Sequence, residues 1–382
     1  MRYIILFAMI PREIQTIIEK RIDYKKAIIV LGPRQSGKTT LLRGIVKNLG
    51  QNYLYFNGDD PASRSLWDNT SKALIEQIIG DHKVVFMDEA QRFANIGLSI
   101  KMIIDSEEGI QVFVSGSSSL ELSDAILEPL TGRKWEYTLL PFSWKELKVH
   151  YSFFETHKRL EQFLITGMYP EVVTHPENSQ DLLIGLSGSY LYKDILELAG
   201  IRKPEILVKL LQALAWQVGS EVSYSELAQT VGADRATISS YIDLLEKSFV
   251  VFRLNPLARN LRNEINTSRK IYFYDNGIRN SIINNFAPLN QRNDVGILWE
   301  NFILSERIKQ IAYTQMHVKP YFWRSKDKAE IDYVEEVDGK ISAFEFKWNP
   351  KVKSRFANSF VQAYSPEKTM VVHRDNYWEW LQ

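Results

Sequence analysis

The sequence predicts an α/β protein: a parallel sheet with helices on both faces at the N-terminal end, then a helical segment, then a smaller α/β unit. Short apolar runs at 27–32 (AIIVLG), 53–57 (YLYFN), 83–87 (KVVFM) and 111–115 (QVFVS) alternate with mixed stretches of helix length. That is the pattern of parallel strands joined by crossover helices. Between about 145 and 215 apolar residues recur at three- and four-residue spacing, as at Leu182, Leu183, Leu186, Tyr190, Leu191 and Ile195. After Ser268 strand-like runs return at 271–275 (IYFYD), 321–324 (YFWR), 331–337 (IDYVEEV) and 341–348 (ISAFEFKW).

The bulk properties narrow the functional classes. A chain of 382 residues exceeds what one ordinary core organises, so several domains are expected. With 45% hydrophobic and 24% charged residues it reads as a folded chain, neither disordered nor fibrous. A net charge of +1 gives no whole-chain argument for nucleic acid or a membrane surface. The absence of cysteine excludes disulfides, thiol catalysis and cysteine zinc sites. The six histidines are scattered without helical metal-ligand spacing, which speaks against structural zinc. The opening MRYIILFAMIP is too brief for a signal peptide and lacks a clear cleavage site; it reads as a first strand, or as an upstream start ahead of Met9. No later run is long enough to span a bilayer, so a cytoplasmic protein with no membrane partner is expected.

GPRQSGKTT at 32–40 fits G-x-x-x-x-G-K-[ST], follows an apolar strand and opens the amphipathic stretch TTLLRGIVKNL. This strand–loop–helix order suits phosphate binding. Gly32 and Gly37 let successive backbone N–H groups turn inward, and the helix N-terminus adds partial positive charge. The expected ATP contacts are Gly32, Pro33, Arg34, Gln35, Ser36, Gly37, Lys38, Thr39 and Thr40, with Lys38 at the β- and γ-phosphates and Thr39 on Mg²⁺. In VVFMDEAQR at 84–92 a hydrophobic strand ends in two acids. Asp88 is the second candidate for holding Mg²⁺, and Glu89 for polarising the attacking water. In LTGRKWEY, Arg133 follows a Thr-Gly turn and is a candidate arginine finger, acting in cis or from a neighbouring subunit. An ordinary surface arginine is the plain alternative, and a finger in trans requires a homo-oligomer.

With these residues in view, the chain resembles the predicted bacterial and archaeal AAA-type ATPases that join an ATPase core to a C-terminal domain of unknown function. The matching stretches are GPRQSGKTT, FMDEAQ, VSGSSS, LTGR followed by LLPFSWKEL, KIYFYDNGIRN, and EIDYV with FEFKW, spread from about residue 11 to 350. The resemblance implies a P-loop NTPase core, a winged-helix segment and a restriction-endonuclease-like fold. The expected divisions are 1–145 for the core, 146–205 for a helical lid or linker, 206–268 for the winged helix and 269–382 for the last domain. It also implies that the polar end of the strand in VFVSGSSS senses the γ-phosphate, through Ser117 or Ser118, with Ser115 a weaker candidate; a serine-rich turn is the plain alternative.

Two segments bear on nucleic acid. VSYSELAQTVGADRATISSYIDLLEKSFVVFRL at 222–254 reads as a helix from about Ser225 to Thr230, a turn at Gly232, a second helix capped by Asp234, and a strand. Ile238, Ile242, Leu245 and Phe249 would face a core, leaving Arg235, Thr237 and Ser240 outward. DNA contact by the second helix competes with a purely structural role, since Asp243 and Glu246 weaken that face for phosphates. From Lys247 to Arg279 the chain carries Lys247, Arg253, Arg259, Arg262, Arg269, Lys270 and Arg279 against only Glu264 and Asp275. Further on, Asp332 lies in one predicted strand and Glu345 and Lys347 in the next, across a turn at Asp338–Gly339. Residues two apart in a strand share a face, and an antiparallel hairpin brings Asp332 near it. Asp332 and Glu345 as metal ligands with Lys347, and Glu300 as a third acid, suit Mg²⁺-assisted phosphodiester hydrolysis. The set resembles the D…ExK site of restriction-type nucleases, although so short a pattern recurs by chance in charged proteins.

The reading that joins these parts is a Mg²⁺-dependent ATPase with ATP and Mg²⁺ as cofactors, coupled to a C-terminal half that binds, and is a candidate for cleaving, double-stranded DNA. The rival is a nucleotide-gated regulatory or interaction protein carrying an inactive nuclease-like domain. Salt-dependent DNA binding separates them, because phosphate contacts weaken as salt rises.

Overall fold

The computed structural model describes residues 10–68, 70–106, 109–117, 129–188, 203–258, 269–352 and 354–381. The opening run 1–9, Ser118, Tyr190, Leu191, Ile195, Arg259 and Arg262 lie outside these residues. The chain divides into two compact units, one running to Leu160 and one from Glu161 onward, with Gly32–Ser36 and Ser117 grouping with the second. The expected division at 145 falls short of the first unit's end.

The first unit is built on a five-stranded parallel sheet in the order β2-β3-β4-β1-β5. Its strands are β1 (Ala27–Leu31), β2 (Tyr53–Asn57), β3 (Val84–Asp88), β4 (Gln111–Gly116) and β5 (Lys134–Thr138). Flanking helices are α1 (Glu13–Glu19), α2 (Lys38–Asn48), α3 (Pro61–Trp67), α4 (Lys72–Ile79), α5 (Ile96–Ile104), α6 (Trp144–Tyr151) and α7 (Phe153–Lys158). β1, β3 and β4 are buried along their whole length, which is why they read as unbroken apolar runs. β5 escaped the sequence reading because it is an edge strand in which only Tyr137 is buried. α2 packs Leu41, Leu42, Ile45 and Val46 inward. The register pairs Leu31 with Gly116 and Asn57 with Asp88, so the acidic end of β3 and the start of the glycine loop share the sheet's carboxyl edge.

In the second unit α8 (Leu160–Thr166) leads into α9 (Pro170–Thr174), α10 (Ser179–Leu186) and α11 (Pro204–Trp216). Then come β6 (Glu221–Val222), α12 (Tyr224–Val231), α13 (Arg235–Lys247), β7 (Val251–Pro256), β8 (Arg269–Phe273), α14 (Asn276–Ile282) and α15 (Val295–Thr314). The chain ends with β9 (Lys319–Arg324), β10 (Glu330–Val337), β11 (Lys340–Phe346), α16 (Asn358–Tyr364), β12 (Lys368–Val372) and α17 (Tyr377–Trp380). The helix pair matches its sequence signals: Gly232 ends α12 in a left-handed conformation, and the Asp234 side chain accepts from Thr237 N at 2.8 Å to cap α13. Ile238, Ile242 and Leu245 are buried as expected. Phe249 is only half-buried and occupies a left-handed turn.

The sheet crosses the expected division at 268. β8 pairs antiparallel with both β6 and β7, and β7 pairs in parallel with β9. One seven-stranded sheet, β12-β11-β10-β9-β7-β8-β6, therefore runs through both segments that the division separates. A strand's pattern is legible in sequence; its partners are not. The β10–β11 hairpin turns at Asp338 and Gly339, both with positive φ, as a two-residue primed turn requires. The DNGIRN stretch is a structural knot: Asp275 accepts from Gly277 N and Ile278 N to cap α14, and from Met168 N at 2.7 Å. Asn276 Nδ2 donates to the Leu164 and Leu298 carbonyls.

Candidate functional site

β1 delivers the chain into the loop 32–37, and α2 begins at Lys38. Gln35 (φ 60°) and Gly37 (φ 94°) are left-handed, the backbone geometry that turns N–H groups into a concave anion site. Lys38 is buried at the first turn of α2. Pro33 and Ser36 are buried, Arg34 is half-buried, and Gln35 and Thr40 are exposed.

Thr39 Oγ1 donates to Asp88 Oδ1 at 3.0 Å, bringing together the two residues expected to share the cation. Asp88 is held further by Ser115 Oγ on the same oxygen and by the Tyr55 hydroxyl on Oδ2 at 2.8 Å. Burial, with Asp88 beside it, lifts the Tyr55 phenol above its ordinary range. Hydroxyl and carboxylate oxygens are the donors a hard dication takes, so these residues fit Mg²⁺. Glu89 follows in a left-handed conformation, φ 49°, with its carboxylate accepting from Gln91 Nε2 at 2.6 Å.

The serines divide. Ser115, the weaker candidate, touches Asp88, while Ser117 is buried directly after β4. Arg133 lies at the opposite edge of the sheet: its carbonyl accepts from Ala27 N, and its guanidinium pairs with Asp105 at 2.6 Å. From Ala27 to the end of β1 is about 13 Å at the usual strand rise, beyond the reach of an arginine side chain. This placement at the amino edge does not bring Arg133 to the loop of its own chain.

In the second unit Asp332 on β10 and Glu345 on β11 do meet Lys347. Its ammonium lies 3.0 Å from Asp332 and 2.9 Å from Glu345. Phe346 N donates to Asp332 Oδ2, and Ser354 Oγ to Glu345 Oε2. Burial would lower the Lys347 ammonium, but the two carboxylates outweigh it and hold its pKa above the ordinary range. Burial, then Asp332, pushes Glu345 up. Glu300 on α15 accepts from the Tyr272 hydroxyl at 2.6 Å, and Lys270 Nζ lies 3.5 Å away while also pairing with Glu330. Burial and Asp332 push the Glu300 carboxyl up to about 7 despite Lys270. Sequence reasoning missed Lys270 and Tyr272. Their two-residue spacing puts them on one face of β8, a signal readable only once Glu300 is known to lie there.

Among the described residues no three His, Asp or Glu side chains gather to hold a metal. Asp332 and Glu345 are oxygen donors of the right kind, but the Lys347 ammonium now bridges them, so they fit a dication only with the lysine withdrawn. Among the described residues of the basic stretch, four side chains have partners of their own. Arg253 is tied to Asp243 and Glu246, Lys270 to Glu300 and Glu330, and Arg279 to Asp294, while Arg269 covers the Tyr224 ring. Arg235 on α13 is exposed.

Residues 24–148 match the family described as AAA domain; residues 157–289 and 295–380 match two families described as domains of unknown function, DUF8612 and DUF4143. An uncharacterized protein of Haemophilus influenzae is 28% identical over 352 residues, covering 86% of this chain and 84% of its own length. One of Mycobacterium tuberculosis is 26% identical over 326 residues, covering 84% of this chain and 70% of its own. Among solved structures, a Walker-type ATPase of Pyrococcus abyssi is 16% identical with a TM-score of 0.48, covering 71% of this chain and 95% of its own. The Thermotoga maritima RuvB branch-migration motor is 21% identical with a TM-score of 0.31, over 63% and 85%. No described helix is long and apolar enough to cross a membrane. Residues 24–148 thus match the AAA domain family, and within them Lys38 and the Thr39–Asp88 pair lie at the carboxyl edge of a parallel sheet, the arrangement of a nucleotide-binding site.

Proposed function

We propose that this protein is a cytoplasmic Mg²⁺-dependent ATPase whose second unit acts on DNA. The observation that carries the ATPase reading is the hydrogen bond from Thr39 to Asp88, with Glu89 next in sequence. In this reading the loop N–H groups and Lys38 hold the phosphate oxygens, and Thr39 and Asp88 hold the cation, which neutralises charge developing on the transferred group. Glu89 takes a proton from the attacking water as its oxygen bonds to the γ-phosphorus and the bond to the β-phosphate oxygen breaks. Lys38→Ala tests the assignment: binding of a labelled ATP analogue should be lost, and unchanged binding would overturn it.

For the second unit we read the α12–α13 pair with β6, β7 and β8 as a winged helix. We read α15, β9, β10, β11, α16 and β12 as a restriction-endonuclease-like fold. The convergence of Asp332, Glu345 and Lys347 supports a DNA-directed role. A second reading, nucleotide-gated regulation through a silent nuclease-like fold, is favoured by the lysine bridging both carboxylates and by the internally paired basic residues. Mg²⁺-dependent cleavage of linear and supercoiled DNA, with and without ATP, decides between them. Cleavage lost in Asp332→Ala supports the first reading; none under any condition leaves the second.

A further inference from the structure

We propose that the edge strand β2 is a positioning platform for both acids of the nucleotide site: the Tyr55 hydroxyl orients Asp88, and the bare backbone at Gly58 makes room for the turn that aims Glu89. This rests on the ATPase reading above and assigns two positioning residues to it.

β2 pairs with β3 in the register Tyr55–Phe86 and Asn57–Asp88, and Gly58 N extends the ladder by donating to the Asp88 carbonyl at 2.8 Å. Tyr55 is fixed on its strand. The Arg43 guanidinium lies 4.5 Å from the ring centroid, and Phe86 meets the ring edge-on at 5.3 Å. Its hydroxyl thus reaches Asp88 Oδ2 from a rigid base, while Thr39 and Ser115 both take Oδ1. Without Tyr55 only one carboxylate oxygen would be held by these hydroxyls, leaving the group free to rotate away from the geometry a cation requires.

Gly58 acts through space rather than through its own dihedrals, since its φ is not positive. A Cβ there would overlap the Glu89 carbonyl oxygen and lie 2.8 Å from Arg92 Cβ. That same carbonyl accepts from Arg92 N at 3.0 Å, closing the turn in which Glu89 takes its left-handed conformation. The loop around Gly58 is braced from two sides. Arg64 Nη1 donates to the Gly58 carbonyl at 2.7 Å, and Asp59 pairs with Arg92 at 3.0 Å. With the loop braced, an added methyl group displaces the Glu89 backbone, and the carboxylate moves with it.

The two residues therefore separate in kinetics. ATP turnover is measured against ATP and against Mg²⁺ for wild type, Tyr55→Phe and Gly58→Ala. Binding of a fluorescent ATP analogue, with and without Mg²⁺, and thermal melting are followed in parallel. Tyr55→Phe should raise the Mg²⁺ concentration for half-maximal turnover about tenfold and weaken the Mg²⁺-dependent part of analogue binding. Gly58→Ala should lower kcat roughly 100-fold with KM and the Mg²⁺ requirement unchanged. A Tyr55→Phe protein with the wild-type Mg²⁺ requirement, or a folded Gly58→Ala protein with wild-type kcat, overturns the corresponding half. If Gly58→Ala melts early, Arg64→Met takes its place: it frees the Gly58 carbonyl and should lower kcat at constant KM, and an unchanged kcat refutes the role of Gly58. Wild-type protein that neither turns over ATP nor binds the analogue would instead overturn the ATPase reading itself.

Discussion

Asp88 and Asp332 are both nearly buried carboxylates on sheet strands, at 5% and 8% exposure, and the groups that hold them differ in kind. Three hydroxyls, from Thr39, Ser115 and Tyr55, converge on Asp88. Hydroxyls orient a carboxylate without cancelling its charge, so the oxygens stay attractive to a dication. Asp332 instead shares the Lys347 ammonium with Glu345, and Glu300 shares Lys270 with Glu330. Those charges are already compensated inside the protein, and a cation entering there must displace an ammonium. The contrast explains why motif reading alone is firmer for the first site. The same residue types, acids with a lysine, describe a competent centre or a neutralised one according to where the ammonium rests.

The largest effect expected is at the first site. Glu89→Gln keeps the shape and removes the base, so ATP binding should persist while turnover falls about 10²- to 10³-fold. Pre-steady-state and steady-state hydrolysis measure both quantities. Equal turnover would remove Glu89 from the mechanism and leave Asp88 as the only acid of consequence on β3.

What the sequence disclosed and what it hid follow one physical division. The loop at 32–40 and the acids at 88 and 89 are legible because their chemistry is local: a strand, a turn and a helix start, all within a few residues. The hairpin carrying Asp332, Glu345 and Lys347 is legible for the same reason, since Asp338–Gly339 sets its register. Tyr55 and Gly58 were hidden because each acts across a strand pairing that no local pattern encodes, and Lys270 because its partners lie on a helix and on a strand that is not its neighbour in the sheet. Gly58 lacks even the positive φ that usually marks a required glycine. The basic stretch from Lys247 to Arg279 reads differently along the chain and in the fold. Counted along the chain it resembles a phosphate-binding surface, but in the fold Arg253, Lys270 and Arg279 face their own acids.

The second unit offers the next test of the comparison, through stability. The Lys270 side chain is 2% exposed and balances Glu300 and Glu330. Lys270→Met leaves that pair uncompensated and should cost about 3 kcal/mol in urea unfolding. At the hydroxyl-held site Ser115→Ala removes one donor from an acid that keeps two others, and the expected cost is about 1 kcal/mol. Equal losses in the two variants would erase the distinction between compensated and merely oriented carboxylates.

The smallest effect concerns Asp294, an acid of the second unit held by two guanidiniums. Burial would lift its carboxyl, but hydrogen bonds from Arg292 and Arg279, at 2.8 and 2.6 Å, outweigh burial and bring it down to about 2. A pKa depressed on folding stabilises the folded state above the ordinary carboxylate range, and that contribution is lost as pH falls through the folded value. Asp294→Asn should therefore be less stable than wild type near neutral pH by roughly 1 kcal/mol, allowing for solvent screening. The gap should narrow between about pH 4 and pH 2, because wild-type Asp294 takes up its proton there and is half neutral at the folded value. Urea unfolding of both proteins across that window measures the gap directly. A gap that stays constant to pH 2 would mean that Asp294 acts through hydrogen-bond geometry rather than charge, and the line drawn between oriented and compensated acids would then fail at an acid held by two arginines.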